Sequence, residues 1–289
     1  RQALQINSTS RIRLCRINRM RNNRTADFED IEHRALEAWF RAAMALDEGA
    51  FRWTRFRQGD AICYGSTTEP RILINRVIGI GSEYRPTLEQ LIDIRKIYTN
   101  AGGSRFFLHV MPDRIGPDYA DLLQEAGYEK YRGWMKFVRG TGEVDAVDTD
   151  LSITQIGPES ASDFAAIVGD AFDFKPQFQP AIAALANDPD WHLYMSFNGE
   201  QPAGTGGLYI KNSVGYLDFG ATHPDFRRRG SQTGVLNTRI KAALDAGCTS
   251  LVTMTGESVP GDEQQSYRNI QRAGFEEAYL RENWIPAGT

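Results

Sequence analysis

The sequence has few cysteines and no long apolar segment. Its three cysteines, Cys15, Cys63 and Cys248, are widely spaced, so they fit neither a disulfide framework nor a zinc site. No apolar run approaches the ~18 residues that a membrane-spanning helix requires. We therefore expect a protein of a reducing compartment, the cytoplasm, with no membrane span and no metal centre.

The sequence also has little net charge, −4 over 289 residues, and that charge is unevenly distributed. The first 25 residues contain seven arginines and no acidic residue, so the remaining residues carry −11. An acidic body argues against general nucleic-acid binding and permits a cationic substrate such as an amine. The basic arm over 1–25 has the composition of a transit peptide or an RNA-contacting tail, and equally that of an unstructured leader or the product of an upstream start site. We favour the last two interpretations.

The length is sufficient for two domains, each with its own core. Apolar residues make up 41% and charged residues 24%, which is typical of globular proteins. Residues 140–150 are rich in Gly and Asp and lack apolar periodicity, which is typical of a linker. We therefore predict domains at 26–140 and 151–289, joined by a linker at 141–150.

Residues 216–247 have the pattern of a strand, a basic loop and a helix. Tyr216 to Thr222 is apolar and β-prone, and His223-Pro224 ends it. The sequence RRRGSQTG follows at 227–234. Apolar residues then recur at helical spacing, and Gly247 is a C-terminal stop.

This strand–loop–helix junction is suited to holding an anion. A helix N-terminus presents unpaired N–H groups and a partial positive charge, and Gly230 allows a ligand to approach the backbone closely. Arg227, Arg228 and Arg229 add forked donors, each charged hydrogen bond being worth roughly 1.5–3 kcal/mol. Taken alone, the segment could equally be a solvated basic turn or a nucleic-acid patch. It is not a Walker loop, because no Gly-Lys-Ser/Thr follows.

A second segment favours the anion-binding interpretation. The short apolar strand Leu251 to Thr255 is followed, at 266–275, by SYRNIQRAGF. The patterns Pro224-x-x-Arg227-x-x-Gly230-x-Gln232 and Ser266-x-Arg268-Asn269-x-x-x-x-Gly274-Phe275 together resemble the GCN5-related N-acetyltransferase (GNAT) superfamily over roughly residues 150–285. The first pattern is similar to the acetyl-CoA pyrophosphate loop, with Gln232 in place of the usual small residue. The second is similar to the last helix of the family and the strand that follows it.

The resemblance implies an acetyl-CoA-dependent enzyme that transfers the acetyl group directly to a primary amine in a ternary complex. In the family, backbone N–H groups of the central strand, here near Ala221 and Thr222, bind the pantetheine arm and polarise the thioester carbonyl. A non-catalytic acyl-CoA-binding regulatory protein and an RNA-associated or aminoacyl-transferring relative are the alternatives. The implied cofactor contacts are Ala221, Thr222, Arg227, Arg228, Arg229, Gly230, Ser231, Gln232, Thr233, Ser266 and Asn269.

Acyl transfer to an amine requires the loss of a proton. An ammonium group with a pKa near 10.4 is neutral in only about one molecule in a thousand at pH 7, a deficit of roughly 4–5 kcal/mol. Asp218 is the one acid in the 216–222 strand and is our candidate base or water relay, although it could instead be a structural ion-pair partner or amine-binding carboxylate. Glu257, after the next strand, is the second candidate. Period-two alternation predicts that Tyr216, Asp218, Gly220 and Thr222 share one face.

The family's general acid is often a Tyr in the last helix. Its usual place is Ile270 here, and Tyr267 on the same helix is our candidate.

The front half echoes the last part of the back half: a helix, a strand, a helix, a Gly-aromatic pair and a strand recur, with Gly127-Tyr128 in the place of Gly274-Phe275. No Arg-x-x-Gly precedes the helix at 87–98, and Glu83 lies where a phosphate would bind. We therefore predict an α/β fold with mixed sheets, formed by two tandem GNAT-like folds of which the first is degenerate. The other predicted helices are 27–46, 119–126, 161–171 and 181–186, and the other strands are 72–80, 105–111, 134–138, 151–156, 191–198, 203–210 and 278–285.

Overall fold

The computed structural model describes residues 28–46, 53–81, 84–111, 115–116, 118–145, 147–262 and 265–289, without the side chains of residues 53 and 54. The basic arm predicted over 1–25 and residue 27, where the first predicted helix begins, lie outside the described residues, as does Glu83. None of the described helices combines the length and the apolar character needed to cross a bilayer.

The front half alternates helices and strands in nearly the predicted order. Thr87 begins the second helix as predicted, because its hydroxyl accepts a hydrogen bond from the Gln90 amide while the Gln90 side chain accepts one from the Thr87 amide. The hairpin over 53–66 was not predicted, and the last strand is more than twice its predicted length. The elements are α1 (28–44), β1 (Trp53–Gln58), β2 (Ala61–Ser66), β3 (Arg76–Ile80), α2 (Leu88–Asn100), β4 (Phe107–Val110), α3 (Tyr119–Glu125) and β5 (Tyr128–Arg139).

The back half follows the predicted order of elements throughout. The hairpin turn falls at 199–200, where Gly199 adopts a positive φ of 62°. The elements are β6 (Ser152–Ile156), α4 (Ala161–Phe172), α5 (Gln179–Ala183), β7 (Trp191–Asn198), β8 (Gln201–Lys211), β9 (Val214–Thr222), α6 (Ser231–Asp245), β10 (Ser250–Gly256), α7 (Gln265–Arg272) and β11 (Glu276–Pro286).

The two halves share one mixed sheet of 11 strands among the described residues, in the order β1-β2-β3-β4-β11-β5-β10-β9-β8-β7-β6. The last strand of each half therefore lies within the strands of the other. β5 of the front half pairs antiparallel with β10, from Leu251↔Arg139 to Gly256↔Trp134. β11 of the back half pairs antiparallel with β4 and β5. The halves are thus interlocked by backbone hydrogen bonds as well as by packing.

The largest apolar cluster also spans both halves. Trp39 of α1 lies edge-on to Phe174, Phe178 and Phe219 at ring-centroid distances of 6.4, 6.0 and 5.2 Å. Its indole N–H donates to the Ala181 carbonyl oxygen at 2.7 Å. Aromatic residues in such a cluster each bury a large apolar area, so α1 fixes the position of the aromatic segment between α4 and α5.

A bulge interrupts β9 at Phe219, which adopts a positive φ of 53°. The register against β8 shifts there, from Gly207↔Asp218 to Thr205↔Ala221. An extra residue in a strand reverses the alternation of side chains beyond it. The prediction that Tyr216, Asp218, Gly220 and Thr222 share one face is therefore wrong: Tyr216, Phe219 and Ala221 enter the same core cluster.

Candidate active site

A cleft of about 400 Å³ opens between β9 and β10. These parallel strands pair only from Ser250↔Val214 to Thr253↔Leu217 and then separate. The paired part of the two strands closes one end of the cleft, and its lining reaches Gln232 in the first turn of α6. A ligand could therefore insert between two strand edges whose backbone groups are unpaired on that side. The other walls are α7, the end of α4 and β5.

The N-terminus of α6 is open. Gly230 is the N-cap residue with a φ of 79°, and no side chain caps the helix. The Gly234 amide donates to the Gly230 carbonyl at 2.8 Å, so the amides of residues 231–233 have no acceptor within the helix. A Cβ at Gly230 would lie 3.1 Å from both the Asp148 oxygen and the Thr149 Cβ, and the positive φ disfavours any other residue. The loop that holds these amides therefore depends on glycine.

The three arginines before Gly230 are not equivalent. Arg229 pairs with Asp150, donates to the Asn198 side chain at 3.0 Å and lies over the Phe226 ring. Arg227 and Arg228 are exposed, and their side chains make no hydrogen bond or ion pair with the described residues. Of the predicted phosphate-binding side chains, Arg227 and Arg228 are thus available for a ligand, whereas Arg229 fastens the loop to the sheet.

Gln232 links the first turn of α6 to α7. Its side-chain oxygen accepts from the Asn269 amide nitrogen at 2.6 Å, and its nitrogen donates to the Ser266 hydroxyl at 3.1 Å. All three residues line the cleft, so the structure brings them together as predicted. Ser231 differs, because its hydroxyl is buried against that of Ser196 at 2.7 Å and only its backbone amide is left for a ligand. Thr233 is half-buried in the same turn.

Ala221 and Thr222 lie at the end of β9, on the strand edge that is not paired with β10. The Ala221 side chain is buried in the core, as expected of a residue that contributes only its backbone. The Thr222 hydroxyl is buried and has no hydrogen-bond partner among the described residues. It lines a second, smaller cavity of about 70 Å³ with Ile167, Ala171 and Arg227. Because Ala171 lines both spaces, this cavity adjoins the main cleft.

Asp218 lines the cleft at its closed end. Its carboxylate accepts from the Phe219 amide at 2.7 Å and from the Tyr216 hydroxyl at 3.0 Å. Burial raises the pKa of Asp218, and the Phe219 amide, Arg76 and the Tyr216 hydroxyl offset only part of that rise. A carboxylate with a raised pKa is a stronger base than an ordinary one, which suits proton abstraction.

Glu257 and Tyr267 are not brought into the cleft lining. The Glu257 carboxylate accepts from the Gly133 amide at 3.2 Å, on the neighbouring strand β5. The Tyr267 hydroxyl donates to Glu277 at 2.7 Å, and its ring packs edge-on against Phe137. Tyr267 therefore projects from a different face of α7 than Asn269, and no tyrosine hydroxyl lines the cleft among the described residues.

Sequence reasoning missed Arg239, which lines the cleft from α6. Its Nη1 donates to the carbonyl oxygens of Gly207 and Asp218 at 2.8 and 2.9 Å, and its Nε donates to that of Val235 at 3.2 Å. A Cβ at Gly206 would lie 2.5 Å from the guanidinium carbon, so the space depends on glycine. The only sequence signal was the GTGG segment over 204–207, which is too glycine-rich for an ordinary central strand.

A buried ionic cluster lies behind the cleft and was also missed. Glu32 of α1 accepts from Arg76 at 3.0 Å, from Arg281 at 2.6 and 3.1 Å, and from Lys136. Burial raises the pKa of Glu32, but the three cations outweigh that effect and hold it well below its usual range. Arg76 and Arg281 also lie over the ring of Trp134, which lines the cleft. The cluster therefore joins α1, β3, β5 and β11 directly beneath the cleft.

A helix N-terminus open to a cleft between two splayed parallel strands is the arrangement on which the resemblance depends. Residues 160–275 match the sequence profile described as Acetyltransferase (GNAT) family. Residues 160–275 form a GNAT-family domain. The match covers the bulged strand, the loop before α6 and the whole of α7, which are the elements that form the cleft. A search of the curated proteins returns no match for this chain.

Solved structures show that the GNAT fold extends over most of the chain. A GCN5-related N-acetyltransferase from Kribbella flavida is 19% identical, with a TM-score of 0.59 over 86% of this chain and 95% of its own. A GCN5-related N-acetyltransferase from Sphaerobacter thermophilus is 11% identical, with a TM-score of 0.55 over 78% and 79%. A tandem GNAT protein from the clavulanic acid biosynthesis pathway is 12% identical, with a TM-score of 0.54 over 78% of both chains. The prediction of two tandem GNAT-like folds is thereby confirmed.

Proposed function

We propose that this GNAT protein is an N-acetyltransferase that binds acetyl-CoA in the cleft between β9 and β10 and transfers the acetyl group to a primary amine. The observation that carries the proposal is the open N-terminus of α6 at the mouth of that cleft. Three amides without a helical acceptor, together with two exposed arginines, form an anion site of the kind that holds a pyrophosphate.

The two ends of the cleft would bind different parts of acetyl-CoA. At the mouth, the amides of 231–233 and the Arg227 and Arg228 side chains would hold the phosphates. Along α7, the Gln232–Ser266–Asn269 network forms one wall. A pantetheine arm would form hydrogen bonds with the unpaired backbone groups of β9 and β10, as an additional strand would. The thioester would then lie near the closed end, beside Asp218.

Asp218 is our candidate for the residue that removes a proton from the incoming ammonium. The neutral amine attacks the thioester carbonyl carbon, the carbon–sulfur bond breaks, and the thiolate of CoA leaves and takes up a proton. Tyr267 remains a prediction for that last proton, although its hydroxyl is bonded to Glu277. No covalent enzyme intermediate is needed, and the two described cysteines are buried and free. Buried free thiols are compatible with the predicted cytoplasmic location.

Isothermal titration of the purified protein with acetyl-CoA tests the proposal. We expect binding that weakens by about tenfold or more in the double variant Arg227→Ala/Arg228→Ala, the effect of losing one charged hydrogen bond. The matched control is Lys241→Ala, an exposed cation at the other end of α6 that is paired with Asp245, and it should bind as the unmodified protein does. Failure of the folded, unmodified protein to bind acetyl-CoA at millimolar ligand would contradict the proposal.

Turnover separates an enzyme from a non-catalytic acyl-CoA-binding protein. A panel of primary amines incubated with acetyl-CoA should yield a product heavier by one acetyl group, detected by mass spectrometry. Binding without turnover on any amine would favour the regulatory alternative.

A further inference from the structure

Arg239 is a buried cation that forms no ion pair with a carboxylate among the described residues. The residue is 4% exposed, and the Asp218 carboxylate acts on it electrostatically but is not bonded to it. Nε and Nη1 donate to backbone carbonyl oxygens, whereas Nη2 has no hydrogen-bond partner among the described residues. An arginine has five N–H donors in a planar fork that matches a carboxylate, so part of this fork is left for a ligand.

The free edge of the guanidinium faces the cleft. Gln232, Leu236 and Arg239 follow one another along the inward side of α6 and all line the cleft. Arg239 lies seven residues beyond Gln232, about 10 Å along the helix from the phosphate end. A Cβ on Gly220 would lie 3.6 Å from Nη2, and Gly220 itself is exposed, so no side chain at position 220 covers Nη2. Arg239 therefore marks the closed end of the cleft.

An unpaired charge is costly at this position. The neighbouring inward residues of α6, Val235, Leu236, Ile240 and Ala243, are buried and apolar. A hydrophobic residue at 239 would fill the same space without the desolvation cost of a cation. Burial lowers the pKa of Arg239 only to about 10, so the side chain is still charged at neutral pH. A cation retained in an apolar row and aimed into a cleft indicates that its partner arrives with the substrate.

We propose that Arg239 binds a carboxylate of the substrate pair at the closed end of the cleft. This inference rests on the proposed acyl transfer and defines its substrate class. The carboxylate has two possible sources: the acyl group of the donor, as in the half-thioester of a dicarboxylic acid, or the amine acceptor, as in an amino acid. In either case Asp218, on the same rim of the cleft, remains free for the ammonium group.

The first experiment measures donor binding in the absence of any amine. Titration calorimetry compares succinyl-CoA with acetyl-CoA for the unmodified protein and for Arg239→Met. If the donor carries the carboxylate, succinyl-CoA binds about tenfold or more tightly than acetyl-CoA, and Arg239→Met removes that preference, as expected for one charged hydrogen bond.

The second experiment keeps acetyl-CoA as donor and compares two acceptors, β-alanine and propylamine, that differ by the carboxylate. If the acceptor carries the carboxylate, kcat/KM favours β-alanine by about tenfold or more, and Arg239→Met removes the difference. Positive results in either experiment support the proposal and identify the source of the carboxylate.

Two further variants guard against a merely structural effect. Arg239→Lys keeps a cation and should retain part of the preference. Gly220→Ala leaves the carbonyl contacts of Arg239 in place but sets a methyl group against Nη2, and it should reduce the preference as Arg239→Met does. The proposal is overturned if the unmodified protein shows no preference for the carboxylate-bearing compound in either experiment. It is also overturned if Arg239→Met lowers the affinity for both CoA esters equally and kcat/KM for both amines equally. If the unmodified protein binds neither acetyl-CoA nor succinyl-CoA, the proposed function itself is refuted.

Discussion

Each half contains a strand with a bulge, but the residues at the bulge differ, and β3 shifts register against β4 whereas β9 shifts against β8. In β3 the positive φ belongs to Gly79, and the residue before it is the buried, apolar Ile78. In β9 the positive φ belongs to Phe219, and the residue before it is Asp218. The residue before the positive φ is therefore a core residue in the front half and a titratable carboxylate in the back half. A bulge occurs in both halves, whereas the chemistry depends on one side chain.

The helix that follows each bulged strand differs in the same way. At the beginning of α2 the amides of Thr87 and Gln90 are satisfied by each other's side chains, whereas α6 begins at Gly230 without a side-chain cap. The strand pairs differ as well: β3 and β4 stay paired as far as Ile80↔Val110, while β9 and β10 part after Leu217 and Thr253. A GNAT-like fold therefore closes its cleft by capping one helix and pairing one strand edge, without any change of topology.

The strongest test of this comparison changes the residue at the bulge. Asp218→Asn keeps the shape of the side chain but removes the base, and kcat should fall by about 10²–10⁴-fold. Because only the deprotonated carboxylate accepts a proton and burial raises its pKa, the rate of the unmodified enzyme should rise with pH through a value above that of an ordinary aspartate. Stopped-time product assays across pH, with calorimetry to confirm unchanged acetyl-CoA binding, measure this. Asp163→Asn, an exposed acid on α4, is the control, and equal rates for the two variants would contradict the role of Asp218.

The next largest effect concerns the cluster that joins the halves. Glu32→Ala leaves Arg76, Lys136 and Arg281 buried without their shared carboxylate and should cost about 3–5 kcal/mol in the free energy of unfolding. The lowered pKa of Glu32 means that its contribution is present above the ordinary glutamate range and is lost only as pH falls through that lowered value. Urea unfolding at several pH values should therefore show that the difference in the free energy of unfolding between the unmodified protein and Glu32→Ala becomes smaller in strong acid. Glu125→Ala, an exposed position on α3, should change stability by less than about 0.5 kcal/mol.

A third test closes the open helix. Gly230→Ala places a Cβ at a positive φ and within 3.1 Å of the Asp148 oxygen, a strain of roughly 1–3 kcal/mol, which should weaken acetyl-CoA binding by about tenfold or more. Gly247→Ala, at the other end of α6, has a similar φ of 85° but nothing within 4 Å of its new Cβ. The Gly247→Ala variant should be less stable than the unmodified protein but should bind acetyl-CoA with the same affinity. Equal losses of affinity in both variants, measured by calorimetry, would mean that the effect is not local to the anion site.

The smallest expected effect comes from the closed helix of the front half. Thr87→Ala removes the reciprocal cap of α2 and should cost about 1 kcal/mol of stability by urea unfolding. Acetyl-CoA affinity should not change, because the front half is not expected to hold the cofactor. An affinity change comparable with that of Gly230→Ala would show that the two halves are not divided as proposed.

The local patterns in the sequence were enough for the anion loop and for the element order of the back half, but in the front half they missed the hairpin over 53–66. Helix periodicity, the Thr87 cap and the glycine before α6 act within a few residues, so they could be predicted without knowledge of the tertiary structure. The bulge at Phe219 could not, because a bulky residue at positive φ is held there by its packing against Trp39, far away in the sequence. The orientation of Tyr267 could not be predicted for the same reason, because its ring packs against Phe137, which is also far away in the sequence.

The burial of Arg239 and the positions of β5 and β11 in the sheet could not be predicted from the sequence for a different reason. A single arginine in an amphipathic helix is normally solvated, and only the glycines of β8 reveal that this one is buried. The exchange of strands depends on registers between segments that are more than 100 residues apart, such as Glu282↔Val110. Sequence patterns predict that such strands exist, but they do not indicate which neighbour each strand will have.

The position of β11 also has a consequence for how the molecule is made. Residues 276–286 leave the ribosome after all ten other described strands, yet they fill the slot between β4 and β5 near the middle of the sheet. Until then a nascent front half exposes two strand edges facing a gap, which is a known hazard for aggregation. We expect a ribosome-stalled chain lacking these residues to bind chaperones strongly and to be readily cleaved by proteases, and we expect it to become resistant only when β11 is released.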